Sequence, residues 1–160
     1  MILVLCGTQK QDFSRMIDAV EQLADEHEII VQGGHNHYRS DKMKILGFID
    51  SDTLNKLYKQ ADLIITHAGA GSMIQALQNQ KKTIAFPRLS KYGEHVNDHQ
   101  LELAEKLEEL GYLLVYRDGD NMRDLFEKAI RFIPKQYQLK GNIISLIDED
   151  LAKFFKKSKK

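Results

Sequence analysis

Cysteine is nearly absent: among 160 residues only Cys6 carries a thiol. A single thiol excludes an intramolecular disulfide and a cysteine-rich zinc site, a usage that fits a reducing cytoplasm. Long apolar runs are missing too. No stretch approaches the roughly 20 residues of a membrane-spanning helix, and the opening MILVLCGTQ lacks the basic segment of a signal peptide, so neither is expected. An excess of one charge is also lacking, because 23 Lys and Arg balance 23 Asp and Glu. That balance gives no overall field for a membrane, and the lack of a basic aromatic surface argues against nucleic acid as a partner. Internal repeats and low-complexity linkers are absent, and with 42% hydrophobic and 29% charged residues the chain has the composition of one globular domain.

What is present is alternation. ILVLC (2–6), EIIVQ (28–32), MKILGFI (43–49), DLIIT (62–66), TIAF (83–86) and YLLVY (112–116) read as short apolar strands. Between them, Phe13, Met16, Ile17, Val20, Leu23 and Ala24 fall at helical spacing, as do Leu54, Leu57, Tyr58 and Ala61. A helix is expected from about Ser72 to Gln80, another through Leu103, Ala104, Leu107 and Leu110 stopped by Gly111, and one through Met122 to Ile130 ended by Pro134. Residues 142–157 read as a terminal helix. Apolar strands alternating with helices indicate the α/β class with a doubly wound, Rossmann-like parallel sheet. Such sheets bind ligands beyond the carboxyl ends of their strands, so the loops beginning at Gly7, Gly33, His67, Pro87 and Arg117 are the candidates.

The third of these, HAGAGS (67–72), is almost free of side chains. Free amides and the positive end of the helix dipole make such a loop an anion site, with a diphosphate the natural occupant. It is neither a dinucleotide fingerprint, since Ile74 stands where a third glycine belongs, nor a Walker loop, since no Gly-Lys-Ser/Thr follows. The same residues also fit a tight strand-to-helix turn needing positive φ, with Ser72 as N-cap. In the fourth loop Asn97, Asp98, His99 and Gln100 gather at a helix start, where amide, imidazole and carboxylate groups suit sugar hydroxyls. A capped, solvated helix start with Asn97 or Asp98 as the cap is the other reading.

HAGAGSMIQAL, followed about twenty residues later by NDHQLELAEKLEELGY and preceded by a first strand running into CGTQ, resembles the C-terminal, donor-binding half of glycosyltransferase family 28 over residues 1–118. The likeness is to the small subunit of two-chain enzymes, among them the dolichol-linked GlcNAc transferase of eukaryotes and bacterial counterparts in capsule and exopolysaccharide synthesis. The resemblance implies the donor half of a GT-B enzyme that binds a UDP-sugar. Residues 1–134 would be the nucleotide-sugar-binding domain and 135–160 a C-terminal helix with a basic tail. The diphosphate would lie on Gly69, Ala70, Gly71 and Ser72, with His67 and Ala68 also among the nucleotide-sugar-binding residues, the sugar near Asn97, Asp98, His99 and Gln100, and Gly7 and Thr8 lining the cleft. Two departures stand out. Gln75 replaces the family's ribose-binding glutamate, which removes charge assistance, and Asn97-Asp98-His99-Gln100 replaces the usual Asp-Asn-His-Gln or Asp-Asp-His-Gln.

One parallel sheet supplies one wall of the water-excluding cleft that glycosyl transfer needs. The resemblance therefore implies a membrane-anchored partner subunit that presents a lipid-linked sugar acceptor, with this chain peripheral at the cytoplasmic face. The product would be a hexose, of galactose or GlcNAc type, added with inversion during capsular or extracellular polysaccharide synthesis. His67, Glu94 and His95 are the local candidates for general base, the base itself being expected in the partner. Arg88 or Lys91, with the helix start at Gly71 and Ser72, would stabilise the leaving UDP. The tail, LAKFFKKSKK, with five lysines, would face an anionic bilayer or the partner, or simply solvent. No cofactor is expected, and no metal: Asp50-Ser51-Asp52 reads as a helix cap, and His35 and His37 lack a third ligand. Two other readings remain, a non-catalytic nucleotide-binding or enhancer subunit, and an unrelated Rossmann-like module without preference for uridine.

Overall fold

A computed structural model describes residues 1–136. Among these, six strands, β1 (Ile2–Leu5), β2 (Ile29–Gln32), β3 (Lys44–Leu46), β4 (Leu63–Thr66), β5 (Lys82–Ala85) and β6 (Leu114–Val115), form one sheet in the order β3-β2-β1-β4-β5-β6. Every pairing is parallel. Five helices connect them: α1 (Ser14–Glu21), α2 (Ser51–Gln60), α3 (Ala70–Gln78), α4 (His99–Glu109) and α5 (Met122–Arg131). The doubly wound α/β expectation holds, and the order reverses between β1 and β4, which fixes the switch point at that pair.

Alternation along β1 explains the two covered faces. Ile2 and Val4 pack with Phe13, Met16, Ile17 and Val20 of the α1 region and with Met122, Phe126 and Ala129 of α5. Leu3 and Leu5 point the other way, onto Leu57 and Tyr58 of α2 and Ala76 of α3, while Met73 and Leu77 of α3 meet Leu103 and Leu107 of α4. Each fully buried aliphatic side chain contributes about 1.5–3 kcal/mol, so this interior holds the strand ends in place. Leu5 pairs with both Gln32 and Thr66, and as a result Gly7 and His67 emerge level with each other.

Several boundaries differ from expectation. β3 and β6 are shorter than the apolar runs 43–49 and 112–116, because the sheet ends at these strands and only part of each run meets a neighbour. α3 begins at Ala70, two residues before Ser72, and α4 already at His99. Asp50 caps α2 as read, its Oδ1 accepting from Thr53 N at 2.7 Å. The helix expected at 142–157 and the basic tail lie outside the described residues.

Candidate functional site

The glycine loop takes its shape from one imidazole. His67 follows β4 with 7% of its surface exposed, and a Cβ on Gly69 would fall 2.3 Å from its Cε1, a Cβ on Gly7 2.5 Å from its Nε2. Both glycines are thus required to make room for the ring. Gly7 additionally has φ +79°, and Gln32 fixes it from β2: Gly7 N donates to Gln32 Oε1 at 3.1 Å, and Gln32 Nε2 donates to Gly7 O at 3.3 Å. The left-handed residue in the loop is Ala68, at φ 67°, and not a glycine. Gly69 itself sits at φ −67°, as N-cap of α3.

The reading of Ser72 as N-cap is therefore corrected. Ser72 lies in the first turn, its Oγ 3.4 Å from His67 Nε2, and no side chain caps α3. The first intrahelical bond runs from Met73 N to Gly69 O at 3.0 Å, so the amides of Ala70, Gly71 and Ser72 precede the ladder and aim past the helix end. Burial, with Arg88 and His95 disfavouring a further positive charge, pushes the His67 pKa down to about 3. A neutral ring presents one donor and one acceptor, and its Nδ1 is buried without a hydrogen-bond partner. The other such buried side-chain atoms among the described residues belong to Gln11, Thr66, Arg88 and Gln100. All five residues follow or end β1, β4 or β5 at the carboxyl edge.

The model of the glycosyltransferase family 28 C-terminal domain matches residues 1–155. The chain belongs to that family. Among its relatives, the UDP-N-acetylglucosamine transferase subunit ALG13 of Candida albicans is 34% identical over 72% of this chain and 44% of its own length. The ALG13 of Yarrowia lipolytica is also 34% identical, over 59% of this chain and 45% of its own. The chain thus spans less than half the length of these curated relatives. Among solved structures, the solution structure of ALG13 superposes with TM-score 0.59 at 20% identity, covering 88% of this chain and 90% of that one. MurG of Acinetobacter baumannii gives 0.58 at 22% identity, covering 94% of this chain and 49% of that one. At these identities the likeness shows the fold, which is that of one half of a GT-B glycosyltransferase.

Within this family 28 domain the remaining expected site residues occupy distinct positions. Thr8 is exposed beyond β1. Gln75 Nε2 donates to Asn55 Oδ1 at 2.5 Å, which turns it toward α2. Asn97 Oδ1 accepts from His99 N, the first residue of α4, at 3.0 Å, while Asp98 stands at the N-cap without a side-chain cap bond, and His99 Nδ1 lies 3.3 Å from Glu102 Oε2. Asp98 accepts from Ser90 N at 2.9 Å and lines a cavity of about 290 Å³ with Arg15, Pro87, Leu89, Tyr116 and Asp118. His95 Nδ1 accepts from Asn97 N at 3.3 Å. Glu94 is 3% exposed: its Oε2 accepts from Arg15 Nε at 2.9 Å and its Oε1 from Arg15 Nη2 at 2.8 Å and Leu89 N at 3.0 Å. Lys91 Nζ donates to Asp118 at 2.6 Å.

Three residues near this edge carry no local signal in the sequence. Gln32 was visible only as a polar end to an apolar strand, Arg15 as one cation on a helix, and Phe48, 60% exposed and edge-on to His35 at 4.7 Å, as part of a strand. Among the described residues no three His, Cys, Asp or Glu side chains stand close enough to hold a metal, and no helix is long and apolar enough to cross a membrane.

Proposed function

We propose that this chain is the catalytic donor half of a two-polypeptide, inverting glycosyltransferase and binds a UDP-sugar at the β1–β4 switch point. The uncapped start of α3 beside the unpartnered Nδ1 of buried His67 carries this reading. Ala70, Gly71 and Ser72 amides hold the diphosphate, and the helix dipole stabilises the charge that develops on departing UDP. Neutral His67 adds one hydrogen bond without titrating. Phe48 stands beyond β3, three strand spacings or about 14 Å across the edge from β4, and offers an aromatic surface to the base of an extended nucleotide. Gly7 and Thr8 line the cleft, and Asn97, His99 and Gln100 meet the sugar from the start of α4, with Asp98 holding the preceding loop.

Glu94 has both carboxylate oxygens committed to Arg15 and Leu89, and His67 is too weak a base at a pKa of about 3. His95 is the local candidate that remains, and we assign the general base to the acceptor-binding partner subunit. That partner is membrane-anchored, presents a lipid-linked sugar, and keeps this chain at the cytoplasmic membrane face. The relatives, UDP-N-acetylglucosamine transferase subunits, support N-acetylglucosamine as the sugar, with galactose the alternative hexose. The capsular or extracellular polysaccharide setting rests on the motif resemblance alone. The bond between Gln75 and Asn55 supports a second reading, a nucleotide-binding enhancer without catalysis, because it occupies the amide that would reach the ribose.

Calorimetric titration of the chain with UDP, ADP and GDP tests the proposal, repeated on Ser72→Trp. UDP binding that exceeds the other two and disappears in the variant is the expected result. Equal affinity for all three, or binding unaffected by Ser72→Trp, overturns it. With the partner added, His67→Ala or Gln100→Ala should abolish sugar transfer; a variant that only weakens complex formation favours the enhancer.

A further inference from the structure

Arg88 was expected at the ligand, and the structure buries it completely. Its Nη2 donates to Cys6 O at 2.8 Å, and its Nη1 to Gln11 O at 2.9 Å and Glu94 O at 3.1 Å. Its guanidinium carbon lies 4.4 Å from the centre of the Phe13 ring. Among the described residues no carboxylate forms an ion pair with it, since the nearest buried one, Glu94, is spent on Arg15 in a two-point contact. Arg15, Glu94 and Arg88 together therefore leave one positive charge in the interior.

Its location gives that charge a use. Cys6, whose carbonyl Arg88 grips, is followed by Gly7, and Gly7 packs against the His67 ring, which in turn packs against Gly69 at the start of α3. The cation thus stands directly behind the glycine loop, with low-dielectric protein between them. Burying an unpaired guanidinium costs stability, a cost that three backbone carbonyls only partly offset. Burial dominates at both neighbours, pushing the Cys6 thiol up and the His67 imidazole down, and the Arg88 charge adds a smaller downward contribution at each.

We infer that Arg88 is a positioning residue that acts through its charge: held behind the glycine loop, it strengthens binding of a diphosphate there without touching it. This rests on the donor-binding reading above. Coulombic attraction in the interior falls slowly with distance, because little water screens it. The effect should grow with the charge of the ligand, being largest for UDP and nil for uridine.

The test is a matched pair, Arg88→Gln and Arg88→Lys, in the full chain. Each loses the planar fork that bridges Cys6, Gln11 and Glu94, and they differ in charge. UDP and uridine affinities are measured by calorimetry for the native chain and both variants. Arg88→Gln should weaken UDP binding roughly tenfold and leave uridine unchanged, whereas Arg88→Lys should keep UDP affinity within about threefold of native. Equal loss in both variants, or a fall for uridine in step with UDP, would mean a structural brace only and overturns the inference. If Arg88→Gln does not fold, Arg88→Met takes its place, an uncharged side chain that keeps the packing on Phe13, and UDP affinity that stays native in it overturns the inference. A native chain that binds no uridine nucleotide overturns the proposed function and this inference together; native binding with equal variants overturns the inference alone.

Discussion

The His67 ring occupies the space above Gly69, so that a methyl group there would come within 2.3 Å of Cε1, although φ −67° suits any residue. Gly69→Ala should therefore fail for lack of room and not through backbone strain, at a cost of about 1–3 kcal/mol. Gly71, with nothing within 4 Å of its added Cβ, is the control: Gly71→Ala should raise stability by about 0.5–1 kcal/mol. Urea denaturation of the two variants checks the opposite signs.

Ala68 is left-handed at φ 67° and has no exposed surface. Ala68→Gly relieves about 1 kcal/mol of backbone strain and loses about 0.8 kcal/mol of methyl burial, so its stability should match the native within about 1 kcal/mol. Ala68→Val puts a branched side chain into the same conformation and should lose about 2 kcal/mol or more. A well-tolerated valine would contradict the turn described here.

Glu94 reads as a base candidate in the sequence and as a buried ion-pair partner in the structure, with Arg15 22% exposed. Breaking a buried pair costs about 3–5 kcal/mol, and the partial exposure of Arg15 reduces this to about 2–4 kcal/mol. Glu94→Gln and Arg15→Met should each lose that much stability, and the double variant should lose less than the sum. A Glu94→Gln chain of native stability that nonetheless lacks transfer would return the residue to catalysis.

The pKa of His67 stands at about 3 in the fold, against its ordinary 6.5. Between those values the unfolded chain binds the proton and the folded one does not. Stability is therefore fully present above about pH 6.5 and is lost as the pH falls toward 3, at a slope of about 1.4 kcal/mol per pH unit from this group. Urea midpoints of the native chain and of His67→Asn, compared at pH 7 and pH 5, check this: the variant should lose less on acidification.

Much of the fold was legible because the strands are apolar along their whole length and the helices carry one apolar stripe. Ile2 to Leu5 could hardly be anything but a central strand once a helix followed it. The glycine loop was legible as a place, since its missing side chains are a sequence property. Its mechanism was not: the ring that needs the space comes from His67, and the left-handed turn falls on Ala68, where no sequence rule puts it. Glu94 and Arg15 are 79 residues apart, so nothing local announces their pairing. Arg88 follows a proline in a polar connection and looks like a surface cation; only the folding of two loops over it reveals otherwise.

Gln32 grips both backbone polar groups of the Gly7 residue, and a side-chain amide is suited to this because it offers a donor and an acceptor side by side. Glutamate would meet the Gly7 carbonyl with an acceptor and open the grip. The turn beyond β1 is therefore already ordered before any ligand arrives, and what docks there forfeits little of the protein's conformational freedom. An amide on a neighbouring strand would thus lower the entropic cost of binding at the proposed cleft.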